Sequence, residues 1–290
     1  MTILRDLYQS LDQPGSIDEQ GKRSQQGVVD DLTLLNGGAD DCFRPTSAEA
    51  KRAMEQRAGE TLFLADWVDA VFLHFEVSAD LLQPEVPFKL DQFEGRCFVS
   101  FVAFTMRRLR FKAGGRLTRW ITAPVANHRF LNLRTYVRHK DGPGIFFMKE
   151  WLDNRLAVKL GPATFGLPYH SAKLDYDHDS ICPTGRVETE DGILEYGGGK
   201  SDECAPALPG SLNEFLLERY IAYTSAGRRR KFFRVWHRPW EVAEMTDITL
   251  DNQSLLEGLK GAWVKGARLQ AAHQTTGVTD VWMSRPHWVT

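Results

Sequence analysis

The stretch Phe130-Leu-Asn-Leu-Arg-Thr-Tyr-Val137 carries the most suggestive chemistry in the chain. In an extended strand successive side chains point to opposite sides, so Phe130, Asn132, Arg134 and Tyr136 share one face. That face presents an amide, a guanidinium and a phenol in line. Leu131, Leu133 and Val137 share the other face with Thr135. On period alone this is a sheet with one wet side. The alternative is a barrel wall whose inner face lines a cavity, where Arg134 could grip a carboxylate by two parallel hydrogen bonds.

Other clusters carry less. Glu195-Tyr-Gly-Gly-Gly-Lys-Ser201 ends like a phosphate-binding loop, but Leu194 stands where the pattern requires its first glycine. A turn is the better reading. Asp175-Tyr-Asp-His-Asp179 offers hard oxygen ligands and one imidazole, with no second histidine at ligand spacing, so a polar loop and no metal are expected. Arg219–Trp240 holds seven Lys/Arg and no acid, interleaved with Phe232, Phe233, Trp236 and Trp240. Such a pattern can track a single-stranded nucleic acid. The whole chain is slightly acidic, however, with 36 Lys+Arg against 38 Asp+Glu. A strand edge guarded by charge is preferred, and no nucleic-acid partner is expected.

These groups need elements to hold them. The cleanest strand signal is Phe98–Met106, apolar at alternate positions on both faces and therefore central. Leu131–His139 and Ile145–Trp151 flank Lys140-Asp-Gly-Pro-Gly144 and read as a hairpin. Further turns fall at Phe93-Glu-Gly95, Ala113-Gly-Gly115 and Glu190-Asp-Gly192. Thr46-Ser-Ala-Glu49 and Ser211-Leu-Asn-Glu214 are capping boxes. The first predicts a helix to about Gln56; the second predicts one with Phe215, Leu216, Tyr220 and Tyr223 on one face, ending before Gly227. Lys231–Trp240 reads as a strand and Ser254–Lys260 as a short helix.

Residues 1–44 differ from the rest. They are acidic and polar and bury little, so a mobile N-terminal arm is expected before one compact domain over 45–290. The chain's 290 residues, 42% of them hydrophobic, are ample for a core. The longest uncharged apolar run is Cys97 to Met106, far short of the ~20 residues of a membrane helix. No secretory stretch opens the chain and its four cysteines show no C-x-x-C spacing, which together point to the cytoplasm.

Read together, Trp67–Val77 (WVDAVFLHFEV), Phe93-Glu-Gly95, Asn132-Leu-Arg-Thr-Tyr-Val137, Gly142-Pro-Gly-Ile-Phe-Phe147, Gly166-Leu-Pro-Tyr169, Phe215-Leu-Leu-Glu-Arg-Tyr220 and His237-Arg-Pro-Trp240 occur in order. This series resembles the YqjF-like family of uncharacterised proteins (domain of unknown function 2071), over roughly residues 55–285. That family is similar to acetoacetate decarboxylase. The resemblance implies a mainly β (α+β) fold, a single antiparallel cone-shaped β-barrel around an interior pocket, with a few peripheral helices. The decarboxylase forms a Schiff base through a lysine in a Gly-x-Pro-Lys-Lys segment, and the comparable residues here are Gly166-Leu-Pro-Tyr169-His170. The supporting glutamate of those enzymes falls near Phe130, where this chain has none.

The resemblance thus implies a pocket with other tools. Tyr169 and His170 stand at the wall where the amine normally sits, as proton-transfer candidates. Arg134 is the expected anion anchor, with Asn132, Tyr136 and Phe130 orienting the ligand. Lys149 is a substitute amine only if it points inward, and outward is favoured. The expectation is a small, anionic carboxylate or carbonyl metabolite, with no cofactor and no membrane partner; a homo-oligomer is compatible. If the protein is an enzyme, its chemistry is lyase-like or hydrolase-like without a Schiff base. The alternative is a non-catalytic ligand-binding or structural partner protein.

Overall fold

The computed structural model describes residues 44–114, 120–227 and 229–289. The expected arm, save Arg44, lies outside the described residues, as do Gly115 of the second turn and Arg228 of the basic stretch. The strands are β1 Thr61–Val77, β2 Lys89–Leu90, β3 Cys97–Phe111, β4 His128–His139, β5 Gly142–Leu152, β6 Tyr169–Ser171, β7 Lys173–Asp177 and β8 Thr184–Thr189. They continue with β9 Gly192–Lys200, β10 Ala205–Pro206, β11 Ile221–Ala226, β12 Arg229–Trp236, β13 Glu241–Asp251, β14 Arg268–Ser284 and β15 His287–Trp288. The helices are α1 Ser47–Glu55, α2 Ala79–Leu82, α3 Arg155–Phe165, α4 Leu212–Leu217 and α5 Gln253–Leu259. No helix among the described residues is long and apolar enough to cross a membrane.

Strands pair in the order β15-β12-β11-β5-β4-β3-β1-β14-β13-β9-β8-β7. β14 also meets β12 through Val235↔Met283 and Trp236↔Trp282, so the pairings return on themselves. The pairs are antiparallel except β11 with β5 and β5 with β6. Both faces of β4 are buried, which removes the wet-sheet reading. Leu131, Leu133 and Val137 pack with Leu174, Val187 and Leu194 of β7–β9. Phe130 and Tyr136 belong to a second cluster with Phe72, Phe215 and Trp240 on the other side. Each fully buried Leu or Phe contributes about 1.5–3 kcal/mol, so two cores hold this strand in register.

Local rules explain most boundaries. Thr46 caps α1, and the side chain of Glu49 reaches back to the Thr46 backbone. Glu94 and Gly95 take positive φ in the tight turn before β3. Ser211 caps α4, but this helix ends at Leu217 rather than running to Tyr223. The chain leaves the helix at Glu218 (φ −96°, ψ 88°), and Ile221–Ala226 pairs with β12 instead. Tyr223 and Thr224 favour a pleated, half-buried surface, and strand pairing overrides their helical spacing.

Candidate functional site

A cavity of about 350 Å³ opens on the inner side of β1, β3, β4 and β5. Its wall is overwhelmingly apolar, with Phe72, Phe104, Phe130, Phe147 and Trp240 prominent. Such a cavity, with few and placed polar groups, is the usual form of a small-molecule site. No lysine is among the described residues that line it.

A bulge decides which polar groups enter. Leu133 pairs with Lys149 but Arg134 pairs with Phe147, leaving Met148 as an extra residue in β5. Plain alternation from Ile145 and Phe147 would turn Lys149 inward. The bulge inverts the parity, so Glu150 lines the cavity and Lys149 does not. The Lys149 ammonium instead lies 2.6 and 2.8 Å from the carboxylate oxygens of Asp191.

Register then aligns Asn132 of β4, Glu150 of β5 and Tyr169 of β6 side by side. Glu150 is 3% exposed, and its Oε2 has no hydrogen-bond partner. Burial drives its carboxyl well above the usual carboxylate range, which favours the protonated form. Burial and then the neighbouring Glu150 raise the Tyr169 phenol as well. The ring of Tyr169 rests on Gly161 of α3, where a Cβ would come within 2.1 Å of it. Asn132 Oδ1 is likewise buried without a partner.

Arg134 lies one strand repeat beyond Asn132. Its Nη2 donates to the Leu216 carbonyl at 3.3 Å, and its Nε is buried without a partner. The guanidinium stands 5.7 Å from the Phe72 ring centroid. Burial lowers its pKa from the usual value, but a guanidinium remains charged. Among the described residues no carboxylate pairs with it, in contrast to Arg219, which also lines the cavity. Arg219 is matched by Asp91 at 2.7 Å, and Asp91 also binds Arg138.

Of the residues singled out in the sequence, Phe130, Asn132, Arg134 and Tyr169 converge on this cavity. Tyr136 and His170 do not line it. The Tyr136 hydroxyl donates to the Leu216 carbonyl at 2.9 Å and lies 2.7 Å from Ser100 Oγ, which meets His74 Nδ1 at 2.7 Å. Tyr136 therefore shares a carbonyl with Arg134 and supports it from behind. His170, next along β6, alternates outward, and its Nδ1 sits 2.7 Å from Glu190. That placement corrects the expectation that its imidazole faces the ligand. Sequence reasoning missed Glu150, although an acid between Phe146 and Trp151 in a strand core was a visible signal. In the acidic loop, His178 Nε2 lies 2.8 Å from the Tyr196 hydroxyl. Phe232, Phe233 and Trp240 of the basic stretch are buried, which leaves them no face for stacking on a base.

A family model described as an uncharacterized conserved protein, domain of unknown function 2071, matches residues 64–278. The chain belongs to this family. The uncharacterized protein YqjF of Bacillus subtilis (strain 168) is 31% identical over 182 residues, 60% of this chain and 72% of that one. Solved structures with the same fold include acetoacetate decarboxylase from Legionella pneumophila, at 14% identity and TM-score 0.53, covering 78% of this chain and 87% of that one. The enduracididine biosynthesis enzyme MppR, complexed with pyruvate, superposes at 10% identity and TM-score 0.57, covering 81% and 92%. The DUF2071 chain is thus mainly β with an acetoacetate-decarboxylase-like fold.

Proposed function

We propose that this DUF2071 protein binds an anionic carboxylate- or carbonyl-bearing small molecule inside a cone-shaped β-barrel. The ring of strand pairings supports the barrel reading. One observation carries the ligand class: Arg134 is a buried cation with a free Nε and no carboxylate partner among the described residues. Leaving such a charge uncompensated costs several kcal/mol, and a ligand carboxylate offsets that cost by a two-pronged contact. Asn132 orients the ligand. Glu150 and Tyr169, both protonated, donate hydrogen bonds to a ligand oxygen or to charge developing on it.

Turnover in this reading proceeds without a Schiff base, because the cavity wall presents Tyr169 and Glu150 rather than an amine. A thermal-shift screen with keto acids and hydroxy acids tests it. Acids should raise the melting temperature of the wild type and leave Arg134→Ala unmoved; equal shifts in both proteins defeat the anchoring role. Borohydride treatment with a keto acid should trap no adduct, and an adduct on any lysine overturns the amine-free chemistry. The placement of His170 against Glu190, away from the cavity, favours a second reading, a binding protein without turnover. Long incubation with a stabilising acid separates the two, since only an enzyme releases product.

A further inference from the structure

The cavity is long and graded, and its grading specifies the body of the ligand. Arg134, Asn132, Phe130 and His128 follow one another along the inner face of β4. Three repeats of two residues span about 20 Å. At the Arg134 end every wall residue is shut away: Arg134 is 9% exposed, His237 2% and Trp240 4%. The same wall includes Ile121 and Leu160, which are 52% and 50% exposed although both line the cavity. Besides Arg134, Arg219 and His237, the polar side chains of the wall are the Asn132–Glu150–Tyr169 row, Thr122, Thr164 and His128, the last of which burial keeps neutral with a pKa of about 4.

A two- to four-carbon acid held by Arg134 would leave most of this wall unfilled. Dry aromatic surface without a partner forfeits both hydrophobic and dispersion stabilisation. From the one lining cation that no described carboxylate pairs with, the apolar shaft and the exposed apolar residues Ile121 and Leu160, we infer that the ligand is a carboxylic acid with a large apolar body. It is a medium-chain or aryl-substituted acid that enters carboxylate first and leaves its tail against Ile121 and Leu160. This inference rests on the Arg134 anchor proposed above and adds the substrate class that the anchor alone does not specify.

Titration of the whole chain with butyrate, hexanoate, octanoate, 4-phenylbutyrate, pyruvate and octan-1-ol tests it. The fluorescence of Trp67 and Trp240, both in the wall, supplies one readout and calorimetry a second. Affinity should rise about fourfold per added methylene from butyrate to octanoate. Pyruvate should bind far more weakly than octanoate. A flat chain-length series, or pyruvate binding as tightly as octanoate, overturns the apolar-body inference while leaving the anchor standing. If octan-1-ol matches octanoate in the wild type, the anchor itself fails and the inference with it; absence of binding by every acid sinks both. Leu160→Glu, a change at an exposed position that spares the core, should weaken octanoate at least tenfold and leave butyrate within about twofold. Equal loss for both acids places the tail elsewhere and overturns the proposed orientation.

Discussion

Glu150 shows what burial does to one titratable group. Its carboxyl has no cation to stabilise the charged form, so the folded chain retains a proton that the unfolded chain releases above its ordinary value of 4.5. Over that window the folded state binds more protons, and stability falls as pH rises toward the raised pKa. Glu150→Gln keeps the shape and removes the titration. The variant should melt above the wild type at about pH 8, with the gap closing toward about pH 4, at roughly 2–4 °C per kcal/mol. Melting curves across pH check this, and a gap that ignores pH shows that Glu150 is ionised and paired in solution. The Arg134 guanidinium is its counterpart: a charge that cannot be surrendered and therefore needs an external partner.

Elements set which of these groups reach the cavity, and here sequence legibility divides sharply. The β4–β5 hairpin was readable because Lys140-Asp-Gly142 interrupts two apolar strands. The inward facing of Glu150 was not, because a bulge at Met148 leaves no mark in the alternation that it inverts. Tyr220 and Tyr223 fit a helical stripe and a strand equally well, and only pairing with β12 decides between them. Helix α3 went unseen because Gly161-Pro162 breaks its pattern, although Asn154 caps it by accepting from the Leu156 and Ala157 amides. Gly161 is there for Tyr169. In an ordinary helix interior Gly→Ala stabilises by about 0.5–1 kcal/mol. At this site the added Cβ meets the Tyr169 ring, so Gly161→Ala should destabilise by about 1–3 kcal/mol in urea melts. In a Tyr169→Ala background the same change should become neutral or stabilising. Additive costs in the double variant show that the ring and the glycine do not meet.

For the molecule as a whole, burying histidines among the apolar side chains of two cores has a cost in pH tolerance. His128, His178 and His273 are all buried, and burial lowers each to about 4 from an ordinary 6.5. His74 and His237 are lowered as well, burial again being the largest cause. Each stays neutral in the folded chain but takes up a proton in the unfolded one below its ordinary value. Stability is therefore fully present above about 6.5 and lost as pH falls toward about 4, by on the order of 3 kcal/mol for each of the first three at full extent. Asp69 works in the opposite sense. Burial and the adjacent Asp179 raise its carboxyl to about 6, so its contribution is lost as pH rises through that value. Glu150 acts in the same sense as Asp69, but the five histidines outnumber the two carboxyls, and the net slope of unfolding free energy against pH should be positive throughout the window. Urea melts at a series of pH values measure that slope directly, because it equals the difference in bound protons between the two states. His128→Gln removes one titrating ring from the cavity wall. It should flatten the slope by up to one proton without changing the denaturant dependence, and an unchanged slope means that His128 is hydrated and protonates freely in the folded protein.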